Sequence, residues 1–420
     1  MGYHYESTAT MQRDQITVLR PGLVFDGTGA ASKKNTIIVV QASKIVYVGS
    51  EQGFDIPAEA RYVDLPGKSV LPGLVDSHIH LALGTYGGYL DVMKDTDGIQ
   101  LATGIINARE MLHAGITTVK DCGARNRVAF DLRNAWKLGL FDGPRILVCG
   151  RPLCITGGHF RFCNDNECDS PWDVRKRVRQ MLAEGADFIK LMASGGGTPG
   201  TDNSRPSFEE EEIQAAVQEA EKFGKTVTAH CEAYECVGRA ARAGVHTLAH
   251  LGFTKPDGTR GFDEEAVRTI VQKGLYVDPT LQTASAQRDS LREKKKIGTL
   301  TEQEKAALEA AEYKVKIKQE NLARMLRMGV KFAAGSDGWG LEKCTRLVRT
   351  LELMVESGMS RSDAIVSATK NGAESIRMGD LYGTIAEGKE ADIIAVNGDP
   401  TENISVLRSP VMVMQAGRII

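Results

Sequence analysis

The sequence lacks the long apolar runs and the one-sided charge that would associate it with a membrane or with nucleic acid. No run of about 18 apolar residues occurs in the 420-residue chain, so no membrane partner is expected. Lysine and arginine total 52 against 54 aspartate and glutamate, a formal net charge of −2, which does not indicate nucleic acid as a partner. The polar N-terminal segment has no apolar core of a secretory signal, and a cytoplasmic location is expected.

Cysteine is sparse, with 8 residues, too few and too scattered for the disulfide framework of a small secreted protein. Cys149, Cys154, Cys163 and Cys168 form two pairs, with four residues between the members of each pair. That spacing is at the upper edge of the range that structural zinc sites use. Free thiols are therefore expected, with a zinc cage as the alternative.

Glycine, in contrast, is plentiful at 44 residues, which suits a fold with many tight turns. Between residues 71 and 377, apolar runs alternate with helical patterns that carry charged faces. The strand candidates are 74–77, 117–120, 145–148, 188–192, 226–229, 247–251, 276–279 and 331–335. Helix candidates include 207–223, which opens with Ser207 and acidic residues, and 264–273, 301–328 and 345–357.

This alternation predicts an α/β fold, most economically a (β/α)8 TIM barrel over residues 71–377. A doubly wound open sheet is the alternative. No GxGxxG motif opens a first strand-to-helix turn, which disfavours the dinucleotide-binding form of that alternative. Short β-branched runs occur in both terminal regions, so residues 1–70 and 378–420 are predicted to form one small β domain, a β-sandwich made by both termini.

Five of the eight histidines fall at or just beyond the C-terminal end of a predicted strand, the edge at which parallel barrels build active sites. His78 and His80 are two residues apart, so in a strand both side chains point to the same side. Two imidazoles in that arrangement can chelate a metal ion, although a lone His-x-His motif is a weak signal.

Further candidate ligands close later strands: Lys190, His230, His250 and Asp337. Imidazole and carboxylate groups suit zinc or a similar divalent metal. The lysine is unusual, because an ammonium group repels metal ions. A desolvated lysine can lose its proton, and the neutral amine can then add carbon dioxide to become an anionic carbamate that bridges two metals.

The segments LPGLVDSHIH, FIKLMASGGG, TVTAHCEA, HTLAHLG and KFAAGSDGWG together resemble the amidohydrolase superfamily of binuclear metal hydrolases. The segments ITTVKD, GGH and KLMASGG make the chain most similar to the prolidase-like group, which hydrolyses dipeptides and N-acyl amino acids. The resemblance implies two divalent metal ions, with zinc expected, and six ligands: His78, His80, Lys190 as N6-carboxylysine, His230, His250 and Asp337.

The resemblance also implies roles near the reacting bond. Asp337 would take the proton as a metal-activated hydroxide attacks, and His159 would contact the scissile carbonyl. From residue type and position, Arg205 could pair with a substrate carboxylate and Tyr234 could hydrogen-bond to it. The alternatives are a loop histidine, a surface arginine and a packing tyrosine.

The expected function is cleavage of an amide bond in a dipeptide or N-acyl amino acid by a homo-oligomeric enzyme. One alternative substrate is a xenobiotic or natural amide, urea or carbamate without a free carboxylate, or a cyclic amide. An alternative of a different class is a catalytically silent scaffold, which the complete set of six ligands disfavours.

Overall fold

The computed structural model describes residues 15–84, 92–340 and 345–420. The strands are β1 Ile16–Val24, β2 Ile37–Gln41, β3 Lys44–Gly49, β4 Arg61–Pro72, β5 Leu74–His80, β6 Ile116–Asp121, β7 Arg145–Val148, β8 Ile189–Met192, β9 Val227–His230, β10 Thr247–Ala249, β11 Tyr276–Asp278, β12 Lys331–Phe332, β13 Gly338–Trp339, β14 Ile393–Asn397, β15 Met412–Gln415 and β16 Arg418–Ile419.

The α-helices of the described residues are α1 Asp97–His113, α2 Val128–Lys137, α3 Pro171–Ala183, α4 Glu210–Glu221, α5 Tyr234–Ala243, α6 Glu264–Gln272, α7 Leu281–Lys296, α8 Glu302–Arg327, α9 Leu347–Glu356, α10 Arg361–Ser367 and α11 Lys370–Ser375. No helix in these parts of the chain is both long and apolar enough to cross a membrane.

The two ends of the chain meet in one seven-stranded sheet, ordered β16-β15-β14-β4-β1-β2-β3. The central strand β4 pairs in parallel with β1 and antiparallel with β14, which joins the N-terminal to the C-terminal segment. Leu19, Ile38, Val70, Ile393 and Met414 bury their side chains in an apolar cluster of this sheet. The pairing describes a single sheet, so the two-layer sandwich and the exact domain limits stay predictions.

The middle of the chain forms two parallel sheets, ordered β12-β11-β10-β9-β8 and β13-β5-β6-β7. The strands alternate with helices, and their side chains are almost all buried, as expected for a parallel sheet covered on both faces. All eight strand candidates overlap an observed strand, which confirms the α/β fold with parallel sheets. The first residue of each observed strand lies within two positions of the first residue of its predicted strand.

Contacts between the two parallel sheets occur at both of their edges. Leu153, after β7, forms a parallel bridge with Leu191 in β8. At the other edge, β12 pairs with β11 and the following β13 pairs with β5. Between these two strands, the backbone N–H of Asp337 donates to the carbonyl of His78 at 2.7 Å.

The start of α4 differs from the sequence-based expectation. The helix begins at Glu210, and Glu209 is its N-cap in a capping box with Glu212, so Ser207 is not the cap. The Ser207 N–H instead donates to the carbonyl of Ala193 at 2.8 Å. Ser207 thus belongs to the loop that follows β8, and the acidic residues alone signal the helix start.

Candidate metal centre

A cavity of about 300 Å³ lies at the C-terminal ends of the parallel strands. This volume is at the small end of the range for ligand pockets, roughly 300–1,000 Å³. All six predicted metal ligands and His159 line the cavity. They come from β5, β8, β9 and the segments after β10 and β12. Each lies at or near the C-terminal end of its strand, and these ends meet at the cavity.

His78 and His80 project from β5 toward the carboxylate of Asp337. The Nε2 atoms of both imidazoles lie 3.5 Å from Asp337 Oδ1. Both histidine side chains are buried, whereas Asp337 keeps 21% of its side chain exposed. His78, His250 and Asp337 also place their ligand atoms within 4.8 Å of one another. The geometry therefore fits a small cation held by nitrogen and oxygen atoms.

In both β5 histidines, the Nδ1 atom, on the side of the ring away from Asp337, has a hydrogen-bond partner. His80 Nδ1 lies 3.0 Å from the Gly123 carbonyl, which can only accept, so Nδ1 carries the proton. His78 Nδ1 lies 2.8 Å from Asp278 Oδ2. Metal-binding histidines are usually oriented by such a partner, which leaves the lone pair of Nε2 for the metal.

His230 and His250 face the cavity from the next two strands. His230 Nε2 donates to the Gly195 carbonyl at 3.0 Å, which leaves the Nδ1 lone pair available. His250 Nδ1 lies 2.7 Å from Thr280 Oγ1 and 3.9 Å from Asp337 Oδ2. Burial lowers the pKa of His230 to about 4 and that of His250 well below its usual value. Both imidazoles are therefore neutral, as metal ligands must be.

Lys190 is buried, with 1% of its surface exposed, and its Nζ lies 3.2 Å from His78 Nε2. An ammonium group at that position would repel a metal ion held by His78. A carbamate on the same nitrogen would supply two anionic oxygens at that point, so the donor set fits a metal pair if Lys190 is modified.

Two of the ligands sit on strained backbone. His250 has φ 72° and Asp337 has φ 49°, both in the left-handed region that residues with a Cβ rarely adopt. Such conformations persist where the surrounding structure enforces them, and they concentrate at functional sites. The backbone conformation of these two residues is consistent with a functional role for the cavity.

Comparison with known proteins decides the family. The sequence profile of the amidohydrolase family matches residues 69–420. The chain belongs to the amidohydrolase family. Within it, this amidohydrolase is similar to a Xaa-Pro dipeptidase whose crystal structure contains bound methionine, with a TM-score of 0.82 and 30% identity over 97% of this chain and 100% of that chain.

Two further relatives place the amidohydrolase in the prolidase-like group. A prolidase in complex with N-methylphosphonate-L-proline has a TM-score of 0.82 and 29% identity, covering 97% of this chain and 99% of its own. The ochratoxinase of Aspergillus niger is 27% identical over 96% of this chain and 85% of its own length. The family resemblance seen in the sequence motifs is therefore confirmed.

His159 of this amidohydrolase lies in the cavity wall beside His230, with 4.8 Å between the ring centroids. Its Nδ1 lies 2.7 Å from Thr198 Oγ1 and accepts from the backbone N–H of Thr198 at 3.3 Å. A hydroxyl can also donate to this nitrogen, so both contacts fit a ring proton on Nε2. A Cβ on Gly196 would come within 2.4 Å of that Nε2. Glycine at 196 thus leaves the space that the His159 N–H needs.

Arg205 and Tyr234 are not brought to the cavity. The Arg205 side chain is 80% exposed, and its Nε lies 3.2 Å from Asp202 Oδ2. Tyr234 is half-buried, packs on Phe253 with 6.3 Å between ring centroids, and lies under Lys255. Neither lines the cavity, so nothing in this arrangement supports their predicted contacts with substrate, which stay predictions.

Nothing supports the alternative of a zinc cage of cysteines. All four cysteines are buried and free, and in the described part of the chain the group of three or more side chains placed to hold a metal ion is His78, His250 and Asp337. Burial also raises the pKa of Cys154 to about 12, so this thiol is protonated at neutral pH. Free thiols, the expected state, are what the structure describes.

Sequence reasoning missed two groups in the cavity region. Asp278, at the end of β11, orients His78. An acidic residue at the end of an apolar strand is the sequence signal that could have identified Asp278. Glu232, Arg260 and Lys318 form an ion-pair network in the cavity wall. Burial would raise the pKa of Glu232, but the charges of Lys318 and Arg260 outweigh it and hold the pKa at about 2.

We expect Asp278→Asn to weaken metal binding by about 10–100-fold, because the amide cannot orient the His78 ring as the carboxylate does. Metal content after dialysis against a graded chelator measures the effect. Asp392→Asn is the control, since Asp392 is equally buried but pairs with Arg145 at 2.7 Å outside the cavity. Equal metal affinities in the two variants would contradict the positioning role of Asp278.

Gly335→Ala should destabilise the protein by about 1–3 kcal/mol through overpacking. An alanine Cβ at 335 would lie 2.5 Å from His78 Cβ and 2.7 Å from Asp278 Oδ2. Chemical denaturation measures the change. Gly98→Ala in α1 is the matched control: its Cβ meets nothing closer than 4.0 Å, so it should be neutral or stabilising by up to ~1 kcal/mol. Equal stability of both variants would refute the packing argument.

Proposed function

We propose that this amidohydrolase is a binuclear metal-dependent hydrolase that cleaves the amide bond of a dipeptide or N-acyl amino acid. The observation that carries the proposal is the convergence of six buried or half-buried ligand side chains, from five separate parts of the chain, on one small cavity. Amide hydrolysis is supported by the family, and the dipeptide class by the similarity to a Xaa-Pro dipeptidase and a prolidase.

We also infer that the two parallel sheets close into one (β/α)8 barrel over residues 71–377. The Leu153–Leu191 bridge supports closure at one edge. The passage of the chain from β12, paired with β11, to β13, paired with β5, supports it at the other. In a closed barrel all the strand ends face one mouth, which is where this family of folds places its chemistry.

His78, His80, His230, His250, Asp337 and a carbamate on Lys190 would hold two divalent metal ions, with zinc proposed. Bound there, such ions polarise a carbonyl and generate a nucleophile from water at neutral pH. The chain's own groups then handle orientation and protons. Asp337 is the carboxylate that can take a proton at the cavity and release it to the leaving amine.

His159 is proposed to bind the scissile carbonyl oxygen. The hydrogen bond from the Thr198 N–H fixes the proton on Nε2, and the bare backbone at Gly196 leaves space beside it. A donor fixed in advance toward the position of developing negative charge stabilises the transition state more than the ground state. The His159 imidazole is neutral, because burial lowers its pKa well below the usual value.

The test is a metal-loaded sample assayed against Xaa-Pro and other dipeptides, N-acetyl amino acids and ochratoxin. Turnover of a dipeptide or N-acetyl amino acid, lost on chelation and restored by zinc, is expected. If neither the dipeptides nor the N-acetyl amino acids are hydrolysed, the proposed substrate class is refuted. Fewer than one metal ion per chain in the purified protein, together with no turnover, would favour the scaffold alternative instead.

A further inference from the structure

One wall of the cavity carries more positive than negative charge. Its cations are Arg260, from the loop after β10, and Lys314 and Lys318 of α8. The two lysines are four residues apart, one helical turn, and therefore lie on the same face of α8. The carboxylate of this wall is Glu232, so three cations face one anion.

Glu232 is committed to two of the three cations. Its Oε1 lies 3.4 Å from Lys318 Nζ and its Oε2 lies 3.3 Å from Arg260 Nη2. The carboxylate also packs closely against the chain, because a Cβ on Gly252 would come within 2.0 Å of Oε2. Glu232 is therefore fixed in place and cannot turn to pair with Lys314 as well.

Lys314 makes no ion pair with a carboxylate in the described part of the chain, although the charge of Glu232 acts on it from further away. It is exposed to solvent yet lines the cavity, so it stands at the mouth. The other carboxylate lining the cavity, Asp337, faces His78 and His80. The wall thus keeps two uncompensated positive charges that a bound anion would neutralise.

We propose that Arg260 and Lys314 form the subsite for a carboxylate of the substrate, with Lys318 and Glu232 holding Arg260 in position. The inference rests on the proposed amide hydrolysis and names the group that the substrate must carry beside the scissile bond. Arginine and lysine hold a carboxylate by charge-assisted hydrogen bonds, which are stronger than neutral ones. Arg260 and Lys314 line the same cavity of about 300 Å³ as the predicted metal ligands, so we infer that a carboxylate one residue from the scissile amide can meet this wall.

The first experiment compares each N-acetyl amino acid or dipeptide that is turned over with its C-terminal carboxamide. The free acid should have a kcat/KM about 10–100-fold higher, the range that one charged hydrogen bond supports. Lys314→Met should reduce this acid preference by about tenfold, mainly by raising the KM of the free acid. Lys314→Arg should restore much of the preference.

Lys316→Met is the matched control, because Lys316 is on the same helix but 73% exposed and paired with Glu320 rather than lining the cavity. It should keep the full acid preference. If Lys314→Met does not fold, the acid-to-carboxamide ratio of the unmodified enzyme decides. Equal kcat/KM for acid and carboxamide would overturn the subsite while leaving amide hydrolysis in place.

Calorimetric binding of L-methionine and L-methioninamide to the metal-loaded protein provides a readout that does not need turnover. Tighter binding of methionine, weakened in Lys314→Met but not in Lys316→Met, supports the subsite even if no amide in the panel is cleaved. The subsite would be overturned if methionine and methioninamide bind equally well, or if the preference for methionine is unchanged in Lys314→Met.

Discussion

Asp337→Asn is expected to lower kcat by about 10²–10⁴-fold, the usual contribution of a positioned acid–base group. The amide keeps the shape of the side chain but cannot accept and return a proton. Burial would raise the pKa of Asp337, but the nearby His78 and His80 hold it at about 2, so the carboxylate is ionised at neutral pH. Steady-state kinetics on the best substrate measure the effect.

The metal content of the same sample separates loss of proton transfer from loss of metal. Asp289→Asn is the control, since Asp289 is a half-buried carboxylate that pairs with Arg349 outside the cavity. It should retain wild-type kcat. An Asp337→Asn enzyme that keeps its metal and works within tenfold of wild type would refute the proton-transfer role.

Lys190→Ala should cost more activity than the roughly 10–100-fold loss typical of an outer metal-site partner, because it removes a group that we propose to bind the metal directly. Lys190 Nζ is 3.2 Å from His78 Nε2, so loss of its carbamate would leave the metal pair without its proposed bridge. Metal content per chain should fall in parallel. Added formate or acetate should restore part of the activity by supplying the missing carboxylate oxygens.

Lys120→Met tests whether any buried lysine of the parallel sheets would have the same effect. Lys120 is fully buried, donates to Thr228 Oγ1 at 2.6 Å and does not line the cavity. It should keep both metals and should not respond to formate. Unchanged metal content in Lys190→Ala would exclude Lys190 as a ligand.

Much of the fold could be read from the sequence because its signals are local. Each parallel strand is a short apolar run, and each predicted ligand closes or follows one of these runs. Strands that run in parallel bring their C-terminal ends to one edge, so order along the chain was enough to group the six residues. The helix start at Glu210, after the Glu209 cap, escaped because Ser207 gave a competing signal.

The substrate-facing side chains could not be read in the same way. Arg205 follows a predicted strand, as a binding residue should, yet its loop directs it into solvent. Lys314 and Lys318 look like ordinary members of a charged helix, and no local pattern distinguishes them from Lys316. Their position depends on how α8 packs against α7 and α9 and on where the distant Glu232 lies.

The amino-acid order alone determined the alternating architecture, the family and the candidate metal ligands, since these depend on strand ends that carry their own local pattern. Only the tertiary structure decided which nitrogen of each histidine faces the cavity, that Asp278 orients His78, and that the cavity wall carries Arg260 and Lys314. The physical reason is that hydrogen-bond partners and uncompensated charges are relations between distant segments, and they exist only once packing has fixed the distances.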